Sequence, residues 1–224
     1  MSFETVLKAA QNGDPDAQVA MGYLFFKGEG VLQDRREAAR WFGLAADQGN
    51  AEAMCNLGYM RVHGAGVRAD FEKAMELYRR SAELGYARAM FNLGFMYTDV
   101  EGIEQDWEKG YEWYSKAAEA GSIMGLYRVG VMQLEGRGVE RDPAKAAETF
   151  GKCFEGGYPK AGYRLGMMYL EGDGVSKDPA KASKFMIKAA DMGSEDAMCA
   201  RKWLTKAAAR GSEEAKALLE GMKG

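Results

Sequence analysis

One feature limits what this chain can fold into: its sequence repeats every 36 residues without insertion or deletion. Leu165–Gly166 illustrates the period, because an apolar residue followed by glycine stands at the same place in every copy. An aspartate provides a second, independent anchor with the same spacing. A fixed period in this range is typical of a solenoid, in which similar units stack side by side. The other pairs are Val129–Gly130, Leu93–Gly94, Leu57–Gly58 and Met21–Gly22, and the aspartates are Asp34, Asp70, Asp106, Asp142 and Asp178.

Each copy contains the signals of two helices, which we call helix A and helix B. Helix A ends at a glycine pair such as Gly172 and Gly174, and glycine reaches the left-handed conformation of a helix C-cap without steric cost. Helix B begins at the aspartate; at Asp178–Pro179 the pattern is an N-cap followed by proline at the first helical position. One helical pair cannot bury its apolar face alone, so we predict an all-α solenoid of stacked antiparallel helix pairs.

The repeat frame divides the chain into three parts. Residues 1–14 continue the frame backwards as a helix B without its helix A, and there we predict an N-terminal capping helix. Residues 195–224 break the frame and predict a truncated sixth repeat with a C-terminal cap, in which one helix covers 195–209 and a short one runs from Glu213 to about Met222. Between them lie five repeats, 15–50, 51–86, 87–122, 123–158 and 159–194.

The loop of the third repeat departs from the pattern. Val100 stands where the other copies carry the first loop glycine, and a β-branched residue resists positive φ. We therefore predict a different path for this loop, which is either a specificity feature or the result of sequence drift.

Charge and hydropathy narrow the class of partner. The chain has 224 residues and a net charge of −3, which favours neither a nucleic-acid nor a membrane-surface partner. No apolar run approaches the roughly 20 residues of a membrane span, and the N-terminal segment lacks the basic start and apolar core of a signal peptide. We therefore expect a cytoplasmic protein without a membrane or nucleic-acid partner. We expect it to be a monomer, with end-to-end self-association as the alternative.

The three cysteines predict reduced structural thiols rather than a disulfide. Cys55 and Cys199 occupy the same repeat position four copies apart, so the stack should hold them roughly 40 Å from each other at ~10 Å per repeat. Cys153 replaces a small residue on helix B, where we expect it to be buried. A bond between two of these residues is geometrically disfavoured.

Several motifs of the unit together carry a family resemblance. The unit resembles the Sel-1-like repeat, and the match covers about residues 9 to 215. The motifs that carry the resemblance are Tyr163 to Gly166, the loop from Gly172 to Val175, Lys181–Ala182 and Trp113–Tyr114. The resemblance implies a right-handed superhelical α-solenoid akin to tetratricopeptide arrays. It also implies an adaptor or scaffold that binds proteins in signalling and in the assembly of complexes. Some cysteine-rich secreted relatives are linked to β-lactam binding, but they carry a disulfide in each repeat, which this chain lacks.

Helix A differs from helix B in how its apolar residues are distributed. Helix B is amphipathic, with a solvated face of acid–base pairs such as Glu112 and Lys116. Helix A is apolar on all sides, which indicates either burial by neighbours or a binding surface. In a stack of helical pairs the A helices line the concave side, so we predict a peptide-binding groove there. The candidate residues are the aromatic Tyr23, Tyr59, Phe91, Phe95, Tyr127 and Tyr163, with Arg128 and Arg164 placed to grip a carboxylate or a peptide backbone.

The sequence alone does not decide whether this aromatic stripe forms a binding groove or packs the A helices together. The rings could equally pack one helix A against the next. Asn56 and Asn92 occupy the same repeat position as the two arginines, and since both residue types are typical of that position in the family that this chain resembles, we expect it to have a structural role. If the groove is free, replacing both Tyr127 and Arg164 by alanine should abolish partner capture and leave thermal stability nearly intact.

Catalysis finds little support in the sequence, and we predict neither enzymatic activity nor a cofactor. His63 is the only histidine, and Cys55, eight residues away on the same helix, is roughly 12 Å distant along the axis, too far to share a metal ion. The alternative function is a hydrolase or a binder of small molecules such as β-lactams. Either would use groove carboxylates such as Glu135 and Glu171, which are equivalent residues of adjacent repeats.

Overall fold

A computed structural model describes residues 2–100, 102–209, 216–217 and 219–220. Within these residues all regular secondary structure is α-helical, which confirms the predicted all-α class. The chain forms two compact units, which we call unit 1 (residues 1–122) and unit 2 (residues 123–224). Unit 1 contains α1 (Phe3–Gln11), α2 (Pro15–Lys27), α3 (Arg35–Asp47), α4 (Ala51–His63), α5 (Phe71–Glu83), α6 (Ala87–Asp99) and α7 (Trp107–Glu119). Unit 2 contains α8 (Ile123–Glu135), α9 (Pro143–Glu155), α10 (Pro159–Glu171), α11 (Pro179–Asp191) and α12 (Glu195–Ala209).

The helices alternate between the two predicted types. In unit 1 the A helices are α2, α4 and α6, and the B helices are α3, α5 and α7, with α1 as a further B helix at the start. In unit 2, α8 and α10 are A helices, and α9 and α11 are B helices. Within each unit every helix packs against the helix before it and the helix after it, as expected for a solenoid of helix pairs.

The repeated aspartate is the N-cap of the B helices from α3 to α11. The carboxylate of Asp178, for example, accepts a hydrogen bond from the backbone amide of Lys181 at 2.9 Å. A cap of this kind contributes about 1 kcal/mol relative to alanine, so the same local interaction fixes the start of each B helix. The other caps are Asp34, Asp70, Asp106 and Asp142.

The glycine of the repeated Leu-Gly pair makes room for a large side chain from the B helix of the same repeat. A Cβ atom added at Gly58 would lie 2.7 Å from the ring of Tyr78, well inside van der Waals contact. This glycine is therefore a packing requirement, because the A and B helices of a repeat meet over a buried ring. The same arrangement pairs Gly22 with Phe42, Gly94 with Tyr114 and Gly130 with Phe150.

The A helices end in two ways. The C-caps Gly28, Gly64 and Gly172 adopt the left-handed conformation, with φ between 62° and 79°. Helix α6 instead ends at Val100, whose backbone is extended with φ −92° and ψ 118°. The prediction of a different path for the third loop is therefore confirmed, because valine disfavours the positive φ that glycine supplies.

The C-terminal part follows the predicted helix boundaries as far as the structure describes it. Helix α12 spans Glu195–Ala209, which confirms the helix predicted there. The short helix expected from Glu213 to Met222 lies largely outside the described residues, of which 216–217 and 219–220 are helical.

The three cysteines are free, but they do not share one environment. Cys55 and Cys153 are buried, as expected for structural thiols. Cys199 is exposed, so for this residue the expectation of a structural thiol is wrong. Cys55 and Cys199 have the same repeat position but different surroundings, because α4 packs between α3 and α5 whereas α12 follows the last complete helix pair.

Candidate functional site

The A-helix face of unit 1 is formed by side chains of α2, α4 and α6 at recurring positions. On α4 and α6 these positions lie three, four or seven residues apart, except for the adjacent Phe91 and Asn92, and residues with such spacing lie on the same side of a helix. The face contains four of the predicted candidate residues, together with two asparagines and two charged residues. Its members are Tyr23, Glu52, Asn56, Tyr59, Arg88, Phe91, Asn92 and Phe95.

Some aromatic residues of this face take part in packing. Tyr23 meets Phe42 edge-on with ring centroids 5.4 Å apart, and Phe91 lies 5.3 Å from Tyr114. Both contacts join an A helix to the B helix of its own repeat. Phe95 is likewise partly buried. These three candidate residues therefore belong at least partly to the interior of unit 1.

Tyr59 is the candidate residue that unit 1 leaves most accessible. Its side chain is 39% exposed. One edge contacts Phe26 on the preceding A helix, with centroids 6.4 Å apart, and the ring of His63 lies 4.3 Å away. In unit 1 the aromatic stripe therefore serves packing and also leaves an accessible surface, because Tyr59 combines a packing contact with a solvent-facing ring.

A chain of hydrogen bonds connects the three A helices of unit 1. The Tyr23 hydroxyl on α2 donates to Glu52 Oε1 at 2.7 Å and accepts from Asn56 Nδ2 at 2.8 Å, and both partners lie on α4. Arg88 on α6 approaches the other end of the same amide, with Nη1 3.5 Å from Asn56 Oδ1. Asn56 is buried and Arg88 is exposed, so the network runs from the interior of the face to solvent.

The protonated hydroxyl of Tyr23 holds this network together. Burial raises the pKa of Tyr23, and the hydrogen bond to Glu52 raises it further. The hydrogen bond from Asn56 and the charge of Arg88 lower the pKa of Tyr23 by less. The phenol therefore stays a donor to Glu52, and it keeps its hydrogen bonds to Glu52 and Asn56.

Asn92 makes the equivalent connection one repeat later. Its Nδ2 donates to Cys55 Sγ at 3.4 Å, which joins α6 to α4. Burial raises the pKa of Cys55 to about 11, against smaller lowering effects of Arg88 and Asn92. The structural role expected for Asn56 and Asn92 is thereby confirmed, because each amide connects one A helix to the A helix before it.

A pocket of about 220 Å³ opens beside the network. Tyr59, the exposed ring, stands among its lining residues. The pocket therefore combines an apolar wall with fixed hydrogen-bonding groups, as ligand sites generally do. The apolar wall consists of Phe26, Phe42 and Met60, and the polar wall of Tyr23, Asn56 and Arg88.

Unit 2 carries the remaining four candidate residues on α8 and α10. Tyr127 is partly buried and packs against Phe150 and Tyr158, with ring centroids 5.7 and 5.0 Å apart. Arg164 is exposed, and its hydrogen bond to Tyr127 is the main reason that the pKa of Arg164 is raised. The other two, Arg128 and Tyr163, are partly buried.

The ring contacts of Tyr127 change what its replacement is expected to do. Truncating a packed aromatic residue leaves a cavity and removes contacts with its neighbours. We therefore no longer expect the Tyr127/Arg164 double alanine variant to keep its full thermal stability. Arg164 alone is the cleaner position for a binding test in unit 2, because it is exposed.

Sequence reasoning missed Glu52 and Arg88. Both stand in the first turn of an A helix, where a charged residue is easily attributed to the helix end. The available signal was their spacing, since each lies seven residues before an aromatic stripe residue, Tyr59 or Phe95. Two helical turns place them on the same side as the stripe.

The residues considered for catalysis lie at the surface. His63 is exposed beside Tyr59. Glu135 is exposed and forms an ion pair with Arg137 at 3.2 Å, and Glu171 is exposed as well. Among the described residues, no three His, Cys, Asp or Glu side chains are grouped so that they could hold a metal ion. None of the described helices combines the length and apolarity needed to cross a bilayer.

Solved structures of other proteins resemble this chain. One is a protective antigen of uropathogenic Escherichia coli with an SLR fold: it is 29% identical, with a TM-score of 0.82 over 97% of this chain and 47% of its own. The present chain thus spans about half of that protein. A Sel1 repeat protein from Oxalobacter formigenes is 28% identical, with a TM-score of 0.80 over 95% of this chain and 88% of its own. An immunity protein from Pseudomonas aeruginosa shares the fold. It is 20% identical, with a TM-score of 0.57 over 93% of this chain and 78% of its own.

Comparison of sequences identifies the family. Curated proteins give no match. The family model described as the Sel1 repeat matches residues 15–50, 51–86, 87–122, 123–148, 159–194 and 197–212. Each of the first three matches contains one A helix and the B helix that follows it, so the sequence model and the helix pairs describe the same unit. The chain therefore belongs to the Sel1 repeat family.

Proposed function

We propose that this chain is an interaction scaffold that binds a peptide segment of a partner protein on the A-helix face of unit 1. Sel1 repeat proteins are generally protein-interaction scaffolds, which supports the class of function. We choose the A-helix face of unit 1 because the exposed ring of Tyr59 lies next to a pocket and a hydrogen-bond network. The A helices of unit 2, with Arg164 as their exposed candidate residue, are the second surface to test.

The composition of the face supports binding of a protein segment. Tyrosine and arginine are enriched among the residues that carry the free energy of protein interfaces. A side chain that is already held by hydrogen bonds loses less conformational entropy when a ligand binds. Tyr23, Asn56 and Arg88 are held in this way, and Tyr59 offers an apolar surface beside them.

The B helices offer a less suitable surface. Their solvent-facing side chains are largely charged, as the exposed ion pair between Lys116 and Glu112 at 2.6 Å illustrates. Exposed pairs of this kind contribute little free energy, and long charged side chains lose entropy when they are ordered. We therefore assign the B helices to the solvated outside of the repeats.

The test is a selection of peptides from a random display library on the wild-type protein, followed by affinity measurements with variants. We expect Tyr59→Ala to weaken binding of the selected peptides roughly tenfold or more, which corresponds to about 1.4 kcal/mol or more, because tyrosine is enriched among the residues that dominate the binding free energy of interfaces. Leu44→Ala is the matched control, because Leu44 is also 39% exposed but lies on the B helix α3.

Two outcomes would contradict the proposal. One is that Leu44→Ala weakens the selected peptides as much as Tyr59→Ala does. The other is that the library yields no peptide whose binding depends on an A helix. Arg164→Ala, measured with the same peptides, separates the two units: loss of binding with this variant alone moves the proposed surface to unit 2.

A further inference from the structure

Arg88 is a cation of the A-helix face, and in the part of the chain that the structure describes it forms no ion pair with an acidic residue. Some exposed arginines of this chain pair with carboxylates, as Arg141 does with Asp173 at 2.6 Å. Within the network Arg88 contacts Asn56 Oδ1 at 3.5 Å and hydrogen-bonds the side chain of Tyr23, and both of these partners are uncharged. A guanidinium has five N–H donors, so these two contacts leave donors of Arg88 for a ligand.

The pocket beside Arg88 has the size and the walls for one side chain. Its volume of about 220 Å³ lies below the roughly 300 to 1,000 Å³ of sites for small-molecule ligands. Phe26 and Met60 form part of its apolar wall, and Tyr59 stands at the exposed side. An occupant that fits both walls carries a short aliphatic stem and ends in an anionic acceptor.

We propose that this pocket binds the carboxylate of a glutamate side chain in the partner peptide, with Arg88 as the recognising residue. The proposal rests on the proposed function of the face and adds the chemistry of one ligand group. The two methylenes of glutamate contact the ring of Tyr59 and the apolar wall, while the guanidinium of Arg88 donates two parallel hydrogen bonds to the carboxylate. A glutamate is favoured over a free chain end, because a terminal residue brings both a side chain and a carboxylate into a space suited to one of them.

Glu52 is the acidic residue of the same face, and it sharpens the test. Its Oε1 accepts the Tyr23 hydroxyl proton at 2.7 Å, so its contact within the network is with the phenol. The negative charge of Glu52 nevertheless repels a second carboxylate bound nearby. Arg88 and Glu52 should therefore affect the binding of an acidic ligand in opposite directions, although both belong to one network.

The experiment uses the small probe N-acetyl-glutamate amide and the full chain, followed by NMR of the Arg88 Nε–H and Asn56 Nδ2 signals. We expect saturable shifts of both signals. N-acetyl-glutamine amide, which has the same shape without the charge, should give at least about tenfold weaker binding, since hydrogen bonds to charged groups contribute about 1.5 to 3 kcal/mol. N-acetyl-leucine with a free carboxylate tests the chain end as the alternative source.

Three variants separate recognition from structural support. Arg88→Met should weaken the glutamate probe about tenfold or more, and Arg80→Met, an exposed arginine on the B helix α5, should leave it unchanged. Glu52→Gln should strengthen binding of the probe by roughly two- to fivefold. If Glu52→Gln and Arg88→Met weaken binding alike, the network only supports the fold and the proposal is overturned.

The remaining outcomes are equally decisive. Equal binding of the glutamate and glutamine probes, or no saturable shift, overturns carboxylate recognition. Binding of the leucine probe without the glutamate probe overturns the choice of a side chain. The proposed function is tested separately by the selected peptides: if these bind through Tyr59 and tolerate glutamate-to-glutamine changes, the scaffold function stands and the role of Arg88 fails.

Discussion

In both units a side chain of one A helix hydrogen-bonds the A helix before it, but the chemical groups differ between the units. Asn92 in unit 1 and Arg164 in unit 2 occupy one repeat position. Asn92 donates to buried Cys55 on the preceding A helix at 3.4 Å, and Arg164 hydrogen-bonds Tyr127 at the position equivalent to Cys55. At this repeat position both units therefore connect one A helix to the A helix before it, and the chemical character of the connection differs between them.

This difference shows how the repeats of one chain can vary in surface chemistry without a change of fold. The amide–thiol pair of unit 1 is uncharged, whereas the guanidinium of Arg164 is charged and exposed. The backbone positions are fixed elsewhere, by N-cap aspartates such as Asp106 and by glycines such as Gly94 that seat a ring. Residues on the A-helix side can therefore differ between repeats at little cost in stability, as expected when function is carried by sites on a common fold.

The largest effect should appear at a glycine that both units use in the same way. Gly66 and Gly174 have φ of 75° and 72°, and an added Cβ would clash with backbone atoms of Arg35 and Pro143, respectively. We expect alanine at either position to cost about 4 kcal/mol in unfolding free energy, from positive φ and overpacking together. Gly30 is the matched control, since its φ is 74° but no atom lies within 4 Å of an added Cβ.

For Gly30→Ala we expect a loss of only about 1 to 2 kcal/mol, the cost of positive φ alone. Urea unfolding of the three single variants measures the difference. Equal losses at Gly30 and Gly66 would show that packing of the loop against the preceding B helix does not contribute.

A second effect compares the buried thiols of the two units at alkaline pH. Burial raises the pKa of Cys55 to about 11 and that of Cys153 to about 12. An unfolded chain ionises its thiols above about pH 8.5, so the folded state loses relative stability as the pH rises from there toward the folded pKa. We expect each buried thiol to account for about 2 kcal/mol of lost unfolding free energy between about pH 8 and pH 10.

Urea unfolding in the presence of reductant tests this expectation. Cys55→Ala and Cys153→Ala should each reduce the pH dependence by that amount. Cys199→Ala should leave it unchanged, because Cys199 is exposed. A pH dependence unaffected by removing either buried thiol would contradict their burial in solution.

A third, smaller effect distinguishes packing tyrosines from accessible ones. Tyr127 in unit 2 packs against two rings, whereas Tyr59 in unit 1 is 39% exposed. We expect Tyr127→Ala to cost about 2 kcal/mol in unfolding free energy and Tyr59→Ala less than about 1 kcal/mol. Thermal unfolding compares the two directly, and a larger loss for Tyr59→Ala would reverse the assignment of packing and binding roles.

Much of the fold follows from the sequence because local chemistry determines it. The repeated aspartate caps each B helix, and glycine or Val100 decides how each A helix ends. These interactions lie within a few residues of each other, so spacing alone predicts them. The helix over 195–209 was predictable from the repeat frame, because the start of an A helix runs there directly into the end of a B helix.

The candidate site was only partly predictable, because it depends on contacts between repeats. The position of Tyr59 and Tyr127 on A helices follows from helical spacing, but sequence spacing does not show which ring is covered. The partners of Tyr23 lie on the next A helix, 29 and 33 residues along the chain. Only the stacked geometry brings Glu52 and Asn56 to its hydroxyl, and the same geometry places Arg88 beside Asn56 rather than in an ion pair with any described acidic residue.

The central claim is that partner peptides bind the A helices rather than the B helices. The most direct measurement is a map of backbone amide shifts in the isotope-labelled protein when a library-selected peptide is added. We predict that the largest shifts lie on α4 and α6 around Asn56, Tyr59 and Arg88, with α3 and α5 little affected on their solvent side. Shifts concentrated on the exposed side of the B helices would contradict the account.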